Sequence, residues 1–310
     1  MPTSFVVLDG GPQATIQDLG RPGYLRYGIP PSGPLDRAAF LLANRLVGNA
    51  AAAAALECIF SRLEMRAEAL IAVTGAEAPV TLNGEEIPRW TAVGVRAGDV
   101  LRVGAARRGV WSYVAFSGGI DVPLALGSRS TYLRGSLGGL EGRALRQGDV
   151  VPLAPAAGLG REGCRVRPEL IPSYEGEVEV RVVLGPQADR FTREGIEAFL
   201  GEPYEMTLQA DRMGARLKGP PVIHTRGHDI ISDGIPLGGI QVVGDGQPII
   251  LLVDRQSTGG YTKVATVCSF DIGRVGQVKP GRRVRFKAIT VPESHTLLRQ
   301  ERKNLEGALL

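Results

Sequence analysis

Glycine and proline break this chain at close and even intervals, and that limits its fold more than any other feature. There are 42 glycines and 21 prolines in 310 residues, about one in five, spread along the whole length. The segments between them are short, and short segments favour strands over helices. Strand candidates rich in Val and Ile occur at residues 5–8, 70–74, 80–82, 100–103, 110–116, 178–184, 240–243, 249–253, 264–269 and 284–286. The stretch Glu177-Val178-Glu179-Val180-Arg181-Val182 alternates most cleanly, with Val on one face and charge on the other. Hydrophobic residues at 44% and charged residues at 22% are globular proportions and exclude a disordered chain.

Three words repeat a pattern: Arg96-Ala-Gly-Asp-Val-Leu, Arg146-Gln-Gly-Asp-Val-Val and Lys279-Pro-Gly-Arg-Arg-Val. Each sets a tight glycine turn before a β-branched strand, as a barrel corner requires. Helices are few. Asp36 is placed to cap a helix over 37–47 that stops at Gly48, a second spans about 189–200, and a charged surface helix spans about 293–305. Residues 153–176 break all periodicity. The expected organisation is therefore mainly β, with β-barrel architecture, in two halves: 1–160 and a C-terminal barrel with a terminal helix over 161–310.

The charge pattern narrows function. Of 36 basic residues only five are Lys, 32 acids lie among them, and the net charge is +4. Nucleic-acid binding needs basic side chains gathered on one face, and none are gathered here. Cys58, Cys164 and Cys268 are far apart and form no CxxC pair, so neither a disulfide scaffold nor a zinc ribbon is expected. No apolar run approaches the roughly 20 residues of a membrane span, and the N-terminus lacks a signal-peptide pattern. A soluble cytoplasmic protein is the expectation.

Several short motifs carry little. Gly158-Leu-Gly-Arg-Glu-Gly163 has the letters of a dinucleotide fingerprint but neither the preceding strand nor the following helix, so it reads as a linker. His224 and His228 are four apart, but Gly227 lies between them and no third ligand is evident, so they read as loop histidines. Ser232, His228 and Asp229 cannot be arranged as a triad by spacing alone.

Four polar, glycine-flanked segments are more informative: 17–36, 117–139, 232–248 and 254–263. Glycine lets backbone amides approach a ligand, and Arg129 and Lys263 suit an anionic group. Gln241 and Gln247 suit an amide-like edge, and Asp233, Asp245 and Asp254 are carboxylates available for proton transfer or metal work. Taken singly, most of these residues are explained by turn chemistry. Together they point to a site for a small polar ligand.

The words TIQDLGRPGY, PSGPLD, LANRLVGN, SGGIDVP, LGSRSTY, GGLEGR, LGPQ, DRMGARL, ISDGIP to GDGQPIILL, and DRQSTGGYTKVA run in order from about residue 15 to 287. In these words the chain resembles the biotin-dependent carboxyltransferase family, also called allophanate hydrolase subunit 2, which includes the C subunit of prokaryotic 5-oxoprolinase. The resemblance implies a cyclophilin-like, mainly β fold. It also implies a partner, the B subunit (of the subunit 1 type), and for the 5-oxoprolinases an A subunit as well. Val243 and Ser257 depart from the family's usual Pro and Thr without removing a charged or amide group. No biotin-carrier Met-Lys-Met word is present, so carboxyl transfer would need a carrier on another chain.

The resemblance implies ATP-dependent opening of 5-oxoproline to glutamate as the first expectation. ATP and Mg2+ then act in the complex, on a chain the sequence does not identify. The expected site has Arg129 on the substrate carboxylate, Gln241 and Gln247 on the amide edge, and Lys263 against developing negative charge. Asp245 or Asp254 assists proton transfer, and Tyr132, Ser32 and Asp36 complete the substrate-binding set. No metal ligands are assigned. The alternatives are carboxyl transfer from carboxybiotin to urea or a related amide, and a regulatory protein that antagonises a kinase-inhibitor partner. Sheet edges left open by a two-domain β protein are the expected place for a partner.

Overall fold

One turn closes three strand junctions. Gly98, Gly148 and Gly281, the glycines of the three repeated words, have φ of +91°, +91° and +81°. That left-handed backbone suits glycine and strains other residues. The following residue bonds back to the first of each word: Asp99 N to Arg96 O at 3.1 Å, Asp149 N to Arg146 O at 3.1 Å, and Arg282 N to Lys279 O at 3.0 Å. Asp99 and Asp149 brace the first two turns by accepting from the Arg96 and Arg146 amides at 2.7 and 2.8 Å.

The computed structural model describes residues 3–156 and 160–310. Two compact units emerge: Met1–Arg21, Ser32–Ser173 and Asn304–Leu310 form the first, and Pro22–Pro31 with Tyr174–Lys303 form the second. Compared with the expected halves 1–160 and 161–310, residues 161–173 and the C-terminal seven belong to the first unit, and 22–31 to the second. Backbone pairing explains the first two shifts. Ala92 N donates to Cys164 O, Val166 N to Trp90 O, and Arg167 N to Ala308 O. Gly158 of the glycine word lies outside the described residues, and Arg165, just beyond the word, enters a β-bridge rather than a helix.

In the first unit the strands are β1 (Ser4–Asp9), β2 (Ala14–Gln17), β3 (Ala55–Cys58), β4 (Ser61–Met65), β5 (Ala69–Glu77), β6 (Val80–Leu82), β7 (Glu85–Glu86), β8 (Ala92–Val95), β9 (Val100–Val103), β10 (Arg108–Phe116) and β11 (Val150–Pro152). They form two sheets, ordered β11-β1-β4-β9-β6-β7 and β2-β3-β10-β5-β8. Phe5 and Phe116 stack between the sheets at 4.6 Å within one shared core. Helix α1 (Arg37–Leu46) lies on β5 and β10, with Thr74 Oγ1 donating to Ala39 O at 2.8 Å. The middle of strand β5 is therefore buried on both faces, which is why residues 69–73 form a continuous apolar run.

The expected open edges are covered by the unit itself. Ile16 O on β2 accepts from Thr131 N, Pro152 O on β11 accepts from Asp121 N, and β8 is bonded by Cys164. Strand β7 ends its sheet with exposed Glu85 and Glu86. Charge and coverage both discourage edge pairing.

In the second unit the strands are β12 (Val178–Leu184), β13 (Tyr204–Met206), β14 (Gly214–Lys218), β15 (Asp229–Gly234), β16 (Gly239–Val242), β17 (Pro248–Leu251), β18 (Thr258–Tyr261), β19 (Lys263–Val267) and β20 (Arg283–Ala288). Seven of them close a barrel in the order β12-β19-β16-β17-β14-β13-β20, while β15 and β18 form a separate ribbon. Seven is odd, so strand direction cannot alternate all the way round. The single parallel pair is β12 with β20. The expected barrel is present. Helix α2 (Arg193–Gly201) begins later than the expected 189, because Thr192 Oγ1 caps it by accepting from Gly195 N at 3.0 Å while 188–190 form a 3-10 turn. Helix α3 (Ile272–Gly276) was not expected, and α4 (Val291–Glu306) has no buried residue, as its charged sequence implied. Among the described residues no helix is long and apolar enough to cross a membrane.

Burial decides thiol chemistry. It pushes the Cys58 thiol up to about 12, and raises Cys268 as well. At pH 8 about one Cys58 in 10⁴ carries a thiolate, the reactive form. Ellman's reagent is expected to titrate one thiol quickly in the native chain, half-buried Cys164, and the other two only on unfolding. Three fast thiols would show that the two cores open readily.

Candidate functional site

Strands β16 and β19 pair so that Gln241 lies opposite Lys263, where the register shifts between Ile240 and Gln241. Opposed residues of an antiparallel pair share a face, and a register break re-aims side chains. Both side chains are buried, Lys263 at 1% exposure and Gln241 at 3%. Lys263 Nζ donates to Asp233 Oδ2 at 3.1 Å, and the Lys263 amide donates to Gln187 Oε1 at 3.1 Å. The hydrogen bond from Lys263 is the main reason the Asp233 carboxyl is held below its ordinary range, and the Gly234 amide adds to it.

Asp233 on β15 faces Gly259 on β18. A side chain at 259 would put Cβ 2.7 Å from Gln241 Nε2 and 2.7 Å from Ile235 Cδ1. Only glycine leaves the Gln241 amide that space. Among the described residues nothing accepts from Gln241 Nε2, and nothing donates to the buried Oε1 of Gln256. A buried amide without partners is costly unless a ligand satisfies it. The cluster thus presents a buried ammonium and an unused N–H donor, a pairing suited to the oxygen of an amide or the negative charge that develops on it.

His224 Nε2 meets Thr262 Oγ1 at 2.9 Å beside this cluster in sequence, and its ring lies 4.6 Å from Phe191. Burial, then the neighbouring His228, holds its imidazole below the ordinary value. No group of three His, Cys, Asp or Glu among the described residues is placed to hold a metal.

The remaining expected site residues have other partners. Asp254 is buried in an ion pair with Arg212, with Nε to Oδ2 at 2.9 Å. Gln247 gives both ends of its amide to Gly219, accepting from N at 2.8 Å and donating to O at 3.1 Å, while exposed Asp245 accepts from the Gln247 amide at 2.9 Å. In the first unit, Arg129 donates to Val122 O at 2.8 Å and Asp121 Oδ1 at 2.7 Å. Asp36 caps α1 by accepting from Ala39 N at 3.1 Å, and Tyr132 precedes a 3-10 turn over Leu133–Gly135. Ser32 is buried on left-handed backbone at φ +58°, and its Oγ lacks a partner among the described residues.

The polar words of the first unit serve one another. Asp18 accepts from Gly20 N, Ser128 Oγ, Ser130 Oγ and Arg129 N at 2.6–2.8 Å. Gln17 spans Thr15, Thr131 and Gly33. Gln187 was not expected in the cluster, and Asp233, one of the three available carboxylates, was given no role in the expected site. They sit in the polar words LGPQ and ISDGIP, where a Gly-Pro or Asp-Gly pair reads first as a turn.

Comparison with known proteins gives this geometry a family. Residues 27–288 match the carboxyltransferase domain, subdomain A and B. The chain is 35% identical to the C subunit of 5-oxoprolinase from Escherichia coli over 93% of this chain and 92% of that protein. It is 36% identical to urea amidolyase of Saccharomyces cerevisiae over 100% of this chain but 18% of that protein. The crystal structure of the Kluyveromyces lactis urea amidolyase superposes with a TM-score of 0.94 at 34% identity, covering 99% of this chain and 20% of that one. The chain thus spans about a fifth of the urea amidolyases it matches. Its sequence, its β fold and these relatives agree: the chain belongs to the carboxyltransferase domain family, subdomain A and B.

Proposed function

We propose that this chain is the amide-binding component of an ATP-dependent 5-oxoprolinase that opens 5-oxoproline to glutamate together with its A and B subunits. The observation that carries the reading is the buried, unpartnered Gln241 Nε2 opposite the Lys263–Asp233 pair. A lactam is a poor electrophile, and ATP supplies a phosphoryl group that makes its carbonyl carbon attackable. In this chain Gln241 donates to the lactam oxygen, and the Lys263 ammonium opposes the negative charge that grows there. Asp233 keeps that ammonium in place.

ATP and magnesium are assigned to the partner proteins. Phosphates favour helix N-termini free of negative charge. Here Asp36 caps α1, Glu194 lies in the first turn of α2, Asp271 stands at the N-terminus of α3, and Glu293 lies in the first turn of α4. A partner has a surface to meet on the β15–β18 ribbon, which carries Asp233 and leaves Ile231 95% exposed.

The similarity to urea amidolyase over the whole chain supports a second reading, in which the same residues hold urea. Carboxybiotin, held elsewhere, would then supply the carboxyl group. ATP hydrolysis by the reconstituted complex, with 5-oxoproline, urea and biotin supplied in turn, tests both. Hydrolysis driven by 5-oxoproline and absent with this chain alone is the expected result. Hydrolysis driven by urea and biotin would replace it with the second reading. Tight assembly without turnover on any substrate would favour a regulatory role.

A further inference from the structure

Arg255 is a buried cation without a counter-ion. It is 6% exposed. Two backbone carbonyls meet it, Ile235 O from Nε at 2.9 Å and Leu252 O from Nη1 at 3.5 Å. Among the described residues no acceptor meets Nη2, which is not one of the wholly buried polar atoms and is open to a ligand, and no carboxylate lies within ion-pair distance. The neighbouring carboxylate in the sequence, Asp254, faces Arg212 instead. Burial pushes the Arg255 guanidinium below its ordinary value. A guanidinium has five N–H donors in a planar fork that fits a carboxylate, and burying one unpaired is unfavourable.

Its location adds to the argument. Ile235, whose carbonyl holds Arg255, flanks Gly259 with its side chain on the side where Gln241 Nε2 also approaches. The Ile235 amide in turn donates to Ser257 O, which ties the 255–259 segment to the end of the ribbon. Arg255, Gln241 and Lys263 are all anchored around this segment and all offer N–H donors. The carboxylate of this cluster, Asp233, is bonded to Lys263.

We propose that Arg255 binds a carboxylate on the small amide ligand and so sets the orientation of its carbonyl toward Gln241 and Lys263. This rests on reading the cluster as an amide site. It moves the carboxylate-binding role from Arg129, which its own loop engages, to Arg255. The carboxylate has two chemical sources: the acid group of a lactam such as 5-oxoproline, or the carboxyl group on a carboxylated urea.

Calorimetric titration of the full chain assembled with its partner proteins tests the assignment with three probes. They are 5-oxoproline, allophanate (urea bearing a carboxyl group), and 2-pyrrolidinone, the lactam without the acid. Wild type is expected to bind one carboxylated probe. Arg255→Gln should weaken it by about 10- to 150-fold, the range for a lost charged hydrogen bond, and leave 2-pyrrolidinone unchanged. Which carboxylated probe is lost identifies the source. Equal binding of the carboxylated probes by wild type and variant overturns the proposal, as does no carboxylated probe binding to wild type. A matching loss for 2-pyrrolidinone would mark Arg255 as structural only and also overturn it. Should Arg255→Gln not fold, Arg255→Lys carries the test, since it keeps the charge but not the fork. A selective loss supports the proposal and an unchanged affinity overturns it. ATP hydrolysis is read separately: carboxylate binding through Arg255 without 5-oxoproline-driven hydrolysis sinks the oxoprolinase reading and leaves Arg255 in place.

Discussion

Lys263→Met is expected to lower the 5-oxoproline-dependent kcat/KM of the assembled enzyme by about 10²- to 10³-fold, the loss that follows removal of one donor aimed at developing charge. The fold should tolerate the change. Methionine keeps the apolar stem, and the side chain of the abandoned partner, Asp233, is 55% exposed and remains solvated. Melting curves should therefore nearly coincide while the rates separate. Asp233→Asn should cost less, since it loosens the ammonium without removing it. The sign of the pH effect follows from Asp233. Its carboxyl is held below the ordinary range, so the pair is intact above that range and is lost as the pH falls through the lowered value. A near-normal rate for Lys263→Met would remove Lys263 from the chemistry.

Asp254→Leu is expected to act on stability rather than on rate. It would leave the Arg212 guanidinium, 5% exposed, without its carboxylate. Removing one member of a buried pair costs about 3–5 kcal/mol, because the other charge stays buried. Urea unfolding should show a loss of unfolding free energy of that size, the midpoint shift multiplied by the slope m. The double change Arg212→Met with Asp254→Leu should recover much of it, since two apolar side chains leave no orphaned charge. The folded fraction of Asp254→Leu should turn over at close to the normal rate. Full stability with lost turnover would instead return Asp254 to the proton-transfer role its sequence position suggests.

Lys263 and Asp254 lie at the two ends of one word, 254–263, and their different fates mark how far the sequence can be read. Lys263 and Gln241 are legible as candidate site residues because a cation and an amide beside apolar strands are expensive to place without partners. Asp254, Gln247 and Arg129 look equally functional by the same rule. Their partners, Arg212, Gly219 and Asp121, lie 42, 28 and 8 positions away, and nothing in spacing marks them as partners. Arg255 does not stand out in the sequence because the charge beside it suggests a local pair.

The sequence by itself determined the class of fold. The three glycine turns, the Val alternation of β12 and the Asp36 cap are local rules, and each appears where the residues required it. The ribbon strands β15 and β18 are not legible as strands, because Asp, Ser, Gly and Thr dominate them and none of their residues is buried. Only the tertiary structure decided which polar groups are satisfied and which are left for a ligand. Hydrogen-bond partners come from strands that meet through barrel closure and register, as at Gln241 opposite Lys263, and those pairings are non-local.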